Sequence, residues 1–243
     1  MKKTFFAIGM LMLSSPAFSA QAAHWGYSGH TGPAHWATLT PEYGACAGKN
    51  QSPVNLTGFI QADMKPIAFR YISNGKEILN NGHAVQVNVH PGSSIRVDGR
   101  EFELKQFHFH APSENHIRGQ SFPMEAHLVH ADKDGNLAVV AVMFTEGRAN
   151  AALRKAWAQM PKHAGDKSML ASAISPTGIL PDNRDHYRFN GSLTTPPCTE
   201  GVRWLVMKQP VSASKAQIAR FAEVMHHPNN RPVQAINART ILE

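Results

Sequence analysis

Past residue 19 the sequence has no apolar run of about 18 residues, so no later segment is long enough to cross a bilayer as a helix. Cysteine is almost missing: Cys46 and Cys198 are the only two in 243 residues, which rules out a small disulfide-dense scaffold. No segment repeats at a fixed period, none is of low complexity, and no Pro- or Ser-rich linker divides the chain. Neither a solenoid nor a string of separate modules fits. Blocks of one charge are missing as well. Lys and Arg number 24 against 17 Asp and Glu, a formal net charge of +7, yet the basic residues are scattered and never interleave with aromatics in a run. That pattern reads as a solvated face and offers nucleic acid no footprint.

What is present begins with an export signature. Lys2 and Lys3 precede an apolar run over 5–13, and small residues follow. A run of roughly 9 residues suits a cleaved signal better than an uncleaved membrane anchor. The small-x-small site Ala20-Gln21-Ala22 predicts release at Ala23; cleavage after Ser19 is the alternative. Residues 1–22 are therefore expected to be a signal peptide, cleaved within 19–22, and residues 23–243 a single domain without stable membrane insertion. In an oxidising compartment the two cysteines argue for one Cys46–Cys198 disulfide, the alternative being two buried free thiols. In the chain-entropy model a loop this long opposes unfolding by about 5 kcal/mol.

The middle of the chain alternates with period two and is punctuated by Gly, Asn and Asp, which predicts a mostly β protein. Val85, Val87 and Val89 alternate with Gln86 and Asn88; Ile95-Arg96-Val97 runs into the hairpin signal Asp98-Gly99, and 101–110 returns as a long strand. A further strand covers 125–130. After a turn at Asp134-Gly135, residues 137–144 form a near-continuous apolar run of the kind covered on both faces. Two helices are predicted, over 149–160 and 215–226. The second has capping-box spacing at Ser214 and Gln217 and a core stripe of Ile218, Phe221, Ala222 and Met225.

In the strand over 101–110, alternation places Phe102, Leu104, Gln106, His108 and His110 on one face and Phe107 and Phe109 on the other. Two imidazoles then point the same way with Cα atoms roughly 6.5 to 7 Å apart, a span that two ligands of one metal bridge. An H-x-H pair alone is weak, because 14 histidines in 243 residues generate about 0.8 such pairs by chance, and the motif needs context. His127 in the strand over 125–130 supplies a third imidazole. Glu125 precedes it by two on the same face, as Gln106 precedes His108, and a ligating imidazole nearly always gives its second N–H to such an acceptor. Three His ligands leave a fourth tetrahedral position open, the mark of a catalytic zinc site. The alternative for any one of these histidines is simple packing.

Six separated motifs now stand in order: His24-Trp25-Gly26-Tyr27, Gln51-Ser52-Pro53-Val54, Asn80-Asn81-Gly82-His83, Gln106-Phe107-His108-Phe109-His110, Glu125-Ala126-His127-Leu128-Val129-His130 and Gly191-Ser192-Leu193-Thr194-Thr195-Pro196-Pro197. Through them the chain resembles the α-carbonic anhydrases along nearly its whole mature length, and the export signal with the cysteine pair resembles the bacterial periplasmic branch. The resemblance implies an α+β, mostly β fold: a large twisted, mainly antiparallel central sheet with short flanking helices and zinc at the base of a conical cleft. It implies reversible hydration of carbon dioxide to bicarbonate and a proton by zinc-bound hydroxide, with His83 exporting the proton.

By the same resemblance Thr194 and Glu114 orient the hydroxide, and Val129, Val139, Leu193, Val202 and Trp204 form an apolar wall for carbon dioxide. Thr195 contacts bicarbonate, Ser52-Pro53 and Pro196-Pro197 are cis bonds, and a homodimer is admitted. One departure is that Asn115 stands where many members carry His after the Glu114 carboxylate, which puts a supporting hydrogen bond in question. Rivals fit less well. The stretch from His108 through His110 to Glu114 copies the opening of a cupin metal motif, but no second half with Pro-x-Gly and a ligating His follows. A silent binding module of the same fold would lack a zinc histidine, and a zinc-storage protein would need many sites.

Overall fold

The computed structural model describes residues 24–243; the expected signal segment lies outside the described residues. The strands are β1 (Asn55–Leu56), β2 (Ala68–Arg70), β3 (Gly75–Asn80), β4 (Val85–Val89), β5 (Ser94–Val97), β6 (Arg100–His110) and β7 (His116–Ile117). They continue as β8 (Met124–Ala131), β9 (Leu137–Glu146), β10 (Lys167–Met169), β11 (His186–Ser192), β12 (Glu200–Met207) and β13 (Val211–Ala213). The helices are short: α1 (Trp36–Leu39), α2 (Ala151–Trp157) and α3 (Lys215–Met225).

An 11-stranded sheet runs β10-β3-β4-β6-β8-β9-β12-β11, with β5 and β2 added beside β6 and β13 beside β9. Its pairs are antiparallel except those of β9 with β12 and with β13, so the sheet is mixed but mainly antiparallel, as expected. β9 explains the architecture. Its apolar run buries both faces, Ala138, Val140, Val142 and Phe144 in one cluster and Val139, Ala141 and Met143 in the other. The first cluster is closed by Leu153 and Trp157 of α2 and by Phe221 and Met225 of α3. Each fully buried side chain of this size contributes about 1.5 to 3 kcal/mol through removal of apolar surface from water. The second cluster is closed by Val54, Leu56 and, near the end of the chain, Ile241.

The local signals produce the elements they predict. Asp98 and Gly99 both take positive φ, 49° and 78°, which a two-residue hairpin turn requires. Ser214 caps α3 through Gln217 N while the Gln217 side chain accepts from Ser214 N. The same Gln217 side chain exchanges two hydrogen bonds with Asn150, the N-cap of α2, and so ties the two helices together. Both helices are shorter than expected, and Ala222 of the expected core stripe is exposed; α3 buries Phe221 and Met225 and packs Ile218 and Val224 partly against the core.

One expectation is corrected. Phe102 and Leu104 lie with Phe107 and Phe109 in the helix-covered cluster, not on the face of His108. The register of β6 against β8 shifts between Leu104 and Gln106, so Lys105 is the extra residue of a β-bulge. One inserted residue flips the alternation. Upstream of it the even positions face the core; downstream the even positions Gln106, His108 and His110 face the opposite side.

Candidate metal centre

The bulge and the β6–β8 register together assemble the site. His108 stands directly opposite His127, and His110 opposite Glu125. The candidate donor nitrogens of His108, His110 and His127 all lie within 4.8 Å of one another. His110 is fully buried and His127 nearly so.

Each ring has one nitrogen engaged on its outer side. His108 Nδ1 is 2.8 Å from Gln106 Oε1, His127 Nε2 is 2.9 Å from Glu125 Oε1, and His110 Nδ1 is 2.7 Å from the main-chain oxygen of Asn229. These partners only accept, so each ring donates outward and keeps a bare lone pair on its inner nitrogen. Burial lowers the pKa of all three imidazoles; for His108 the charges of His110 and His127 add to the effect, and for His127 that of His110. Three neutral rings with convergent lone pairs suit a cation and leave His110 Nε2 buried without a hydrogen-bond partner.

Two carboxylates lie beneath the rings. Glu125 is fully buried and accepts from Glu114 N at 2.7 Å, Asn115 N at 2.8 Å, Asn115 Nδ2 at 2.7 Å and His127 Nε2. Burial raises its pKa, and the Asn115 donors oppose the rise. Glu114 Oε1 accepts from Arg231 N at 2.8 Å, whereas Oε2 has no hydrogen-bond partner and sits 3.5 Å from His110 Nε2 and 3.9 Å from His127 Nδ1. Burial raises the Glu114 pKa strongly, opposed first by the Arg231 N–H and then by the Thr194 side chain. Among the described residues the only ion-pair partners of these two carboxylates are histidines. Buried carboxylates need nearby positive charge. A divalent cation at the inner nitrogens satisfies that need and the orphaned His110 nitrogen together, so the residues present fit a zinc ion.

Of the remaining predicted residues, Trp204, Thr195 and His83 lie at the histidines or their cavity, and the other wall residues lie in the apolar cluster that contains Trp204. Val139, Val202 and Trp204 belong to the second apolar cluster, with Val129 and Leu193 packed against it, and the Trp204 ring stands edge-on to His127 with centroids 4.9 Å apart. A cavity of about 140 Å³ opens over the histidines, lined by His108, His110, Thr195, Tyr27 and His83. His83 is half-buried and stacked on Trp25, with centroids 3.7 Å apart. Its backbone N–H is held by Asn81 Oδ1 in the turn that enters β4. Cys46 and Cys198 form the disulfide, with Cα atoms 4.9 Å apart. Ser52-Pro53 and Pro196-Pro197 are cis, and so is Ala111-Pro112, which was not foreseen.

Two residues of the site escaped sequence reasoning. Asn229 holds His110 through its carbonyl, while its side chain bonds Ala111 N, Phe109 O and His83 O. Arg231 is buried and joins Glu114 to Gln51 Oε1, Ser52 O and Cys46 O. Both lie in an irregular segment with no periodic signal; the only hint was a run of polar residues just past a helix. Asn115 answers the question raised by the missing His: its Nδ2 supplies the hydrogen bond to Glu125, and its Oδ1 accepts from Val54 N at 3.1 Å.

A mainly antiparallel sheet presenting three histidines placed to hold a metal ion, each backed by an acceptor, defines a mostly β metal-site scaffold. The profile of the eukaryotic-type carbonic anhydrase family matches residues 31–243. A carbonic anhydrase of Pectobacterium carotovorum is 47% identical over 97% of this chain and 98% of its own length, and one of Neisseria gonorrhoeae is 45% identical over 96% and 95%. The solved α-carbonic anhydrase of Thermovibrio ammonificans, in complex with the inhibitor sulfanilamide, superposes with a TM-score of 0.90 at 49% identity, covering 92% of this chain and all of that one. The chain belongs to the α-carbonic anhydrase family.

Proposed function

We propose that the protein catalyses the reversible hydration of carbon dioxide to bicarbonate and a proton, with one zinc ion held by His108, His110 and His127. The observation that carries this reading is the orientation of the three rings: each outer nitrogen is bound by an acceptor, and the inner nitrogens converge as bare lone pairs. When bound, zinc supplies a Lewis acid that lowers the pKa of a coordinated water from about 15.7 to about 7, a value known for carbonic anhydrases as a class rather than worked out from this structure.

The protein's own groups do the rest. Gln106, Glu125 and the Asn229 carbonyl fix the tautomer and tilt of the rings. Thr194 donates a hydrogen bond from its hydroxyl to Glu114, which leaves its oxygen free to accept one and so to orient the group that attacks substrate. Val129, Val139, Leu193, Val202 and Trp204 provide an apolar wall where carbon dioxide displaces water, and Thr195 contacts bicarbonate. His83 takes the product proton from the cavity. Burial, with the charges of His24 and His227, lowers its pKa and keeps the ring neutral and ready to accept near pH 7. Export through a signal over residues 1–22, delivering the single domain 23–243 to the periplasm, accords with the disulfide.

The test is elemental analysis joined to stopped-flow carbon dioxide hydration. The reading requires one zinc per chain, loss of activity on chelation, and recovery on adding zinc back. His110→Ala must lose tight zinc and activity together; a fully metallated, active variant refutes the ligand set.

A further inference from the structure

The proton that leaves His83 must reach solvent, and a second histidine, His227, stands exposed beside the same tyrosine, Tyr27. Beyond α3, His226 takes a left-handed conformation with φ 60° and turns the chain into His227, Pro228 and Asn229. The Asn229 side chain donates to the main-chain oxygen of His83 at 3.0 Å and to that of Phe109, so one buried amide fixes the backbone of His83 relative to the segment carrying His227. Both rings stand against Tyr27, His83 with centroids 6.5 Å apart and His227 with centroids 5.9 Å apart. His83 lines the cavity over the metal site. His227 is exposed and lines an adjoining surface depression with Asn80, Gly82, Lys162, His163 and His226.

We infer that His227 is the outer station of a two-histidine proton path, receiving the proton from His83 and releasing it to buffer. The inference rests on the assignment of His83 as the exit for the product proton. His227 Nδ1 lies 3.0 Å from the Pro228 carbonyl, which can only accept, so Nδ1 keeps its hydrogen and Nε2 is the free base. In the transfer the N–H bond of the His83 imidazolium breaks and a new N–H bond forms on His227 Nε2, relayed by water around Tyr27. His83 returns to neutral, and the same Nε2–H is then lost to a buffer base. No other reactant is needed. The two rings repel when charged, so a proton on either lowers the affinity of the other, and His24 acts on His83 in the same sense.

The experiment compares zinc-loaded parent, His227→Gln, His83→Ala and the double variant by stopped flow in dilute and concentrated imidazole-type buffer. For His227→Gln, kcat in dilute buffer is expected to fall about 2- to 5-fold and to recover in concentrated buffer, with kcat/KM for carbon dioxide unchanged, because proton export and not the carbon chemistry is slowed. The double variant should match His83→Ala, since a serial path is already cut. The second readout is independent of turnover: removing the neighbouring charge should raise the NMR titration midpoint of His83. Parental kcat for His227→Gln in dilute buffer, a further multiplicative loss in the double variant, or an unmoved His83 midpoint overturns the inference. A full-speed His83→Ala would overturn the His83 assignment itself, and the inference with it.

Discussion

Asn115→Ala tests whether the hydrogen bonds around Glu125 matter as the geometry says. The substitution removes the 2.7 Å bond from Asn115 Nδ2 to the buried Glu125 carboxylate and leaves Val54 N without its acceptor. A hydrogen bond to a charged group is worth about 1.5 to 3 kcal/mol, and an orphaned buried N–H costs about 1 to 3 kcal/mol. The expected destabilisation is therefore about 2.5 to 6 kcal/mol, at the lower end where a water fills the space left by the amide. Because Glu125 also orients His127, zinc affinity should fall by about 10- to 100-fold. Urea unfolding of the metal-free protein measures the first effect, and competition against a chromophoric chelator the second. Asn115→Asp removes the donor while keeping the size, and sets a second carboxylate beside Glu125, so it should be at least as damaging to stability. A loss under about 1 kcal/mol with unchanged zinc affinity would refute the reasoning and leave Asn115 a space-filling residue.

Reducing the Cys46–Cys198 bond, which closes a separation of 152 residues, should lower stability by about 2 to 5 kcal/mol. Two titratable thiols in native, unreduced protein would contradict the linkage. Thr194→Ala and Glu114→Gln should each slow hydration, and the double variant should lose far less than the product of the single losses because the two groups share one task. Independent losses in stopped-flow assays would dissolve the pairing. His130 is buried between Tyr71 Oη at 2.8 Å and the Ala138 carbonyl, and burial lowers its pKa to about 3. With the folded value depressed, the unfolded chain binds the extra proton first, so stability falls as pH drops from about 6.5 towards 3, by up to about 1.4 kcal/mol per unit. His130→Gln should shallow that slope in urea titrations between pH 6 and 4, and an unchanged slope would show that His130 already titrates in the folded state.

Much of this protein is written locally. The alternation of β4, the apolar run of β9, the capping box of α3 and the Asp98-Gly99 turn depend on neighbours within a few positions, and each formed as the sequence predicted. The outer partners of two metal-site histidines were legible for the same reason: Gln106 and Glu125 lie two residues from His108 and His127, so strand geometry alone brings them to hand. Tertiary structure decided the rest. Which way β6 faces depends on a bulge at Lys105 that alternation cannot reveal, since it arises from how β6 registers against β8. The partner of His110 is a carbonyl 119 positions away, and Arg231 reaches Glu114, Gln51 and Cys46 across separations of 117, 180 and 185. Pairings of that range leave no periodic trace, because a main-chain oxygen has no residue identity and a lone arginine in an irregular segment looks like surface until the fold buries it.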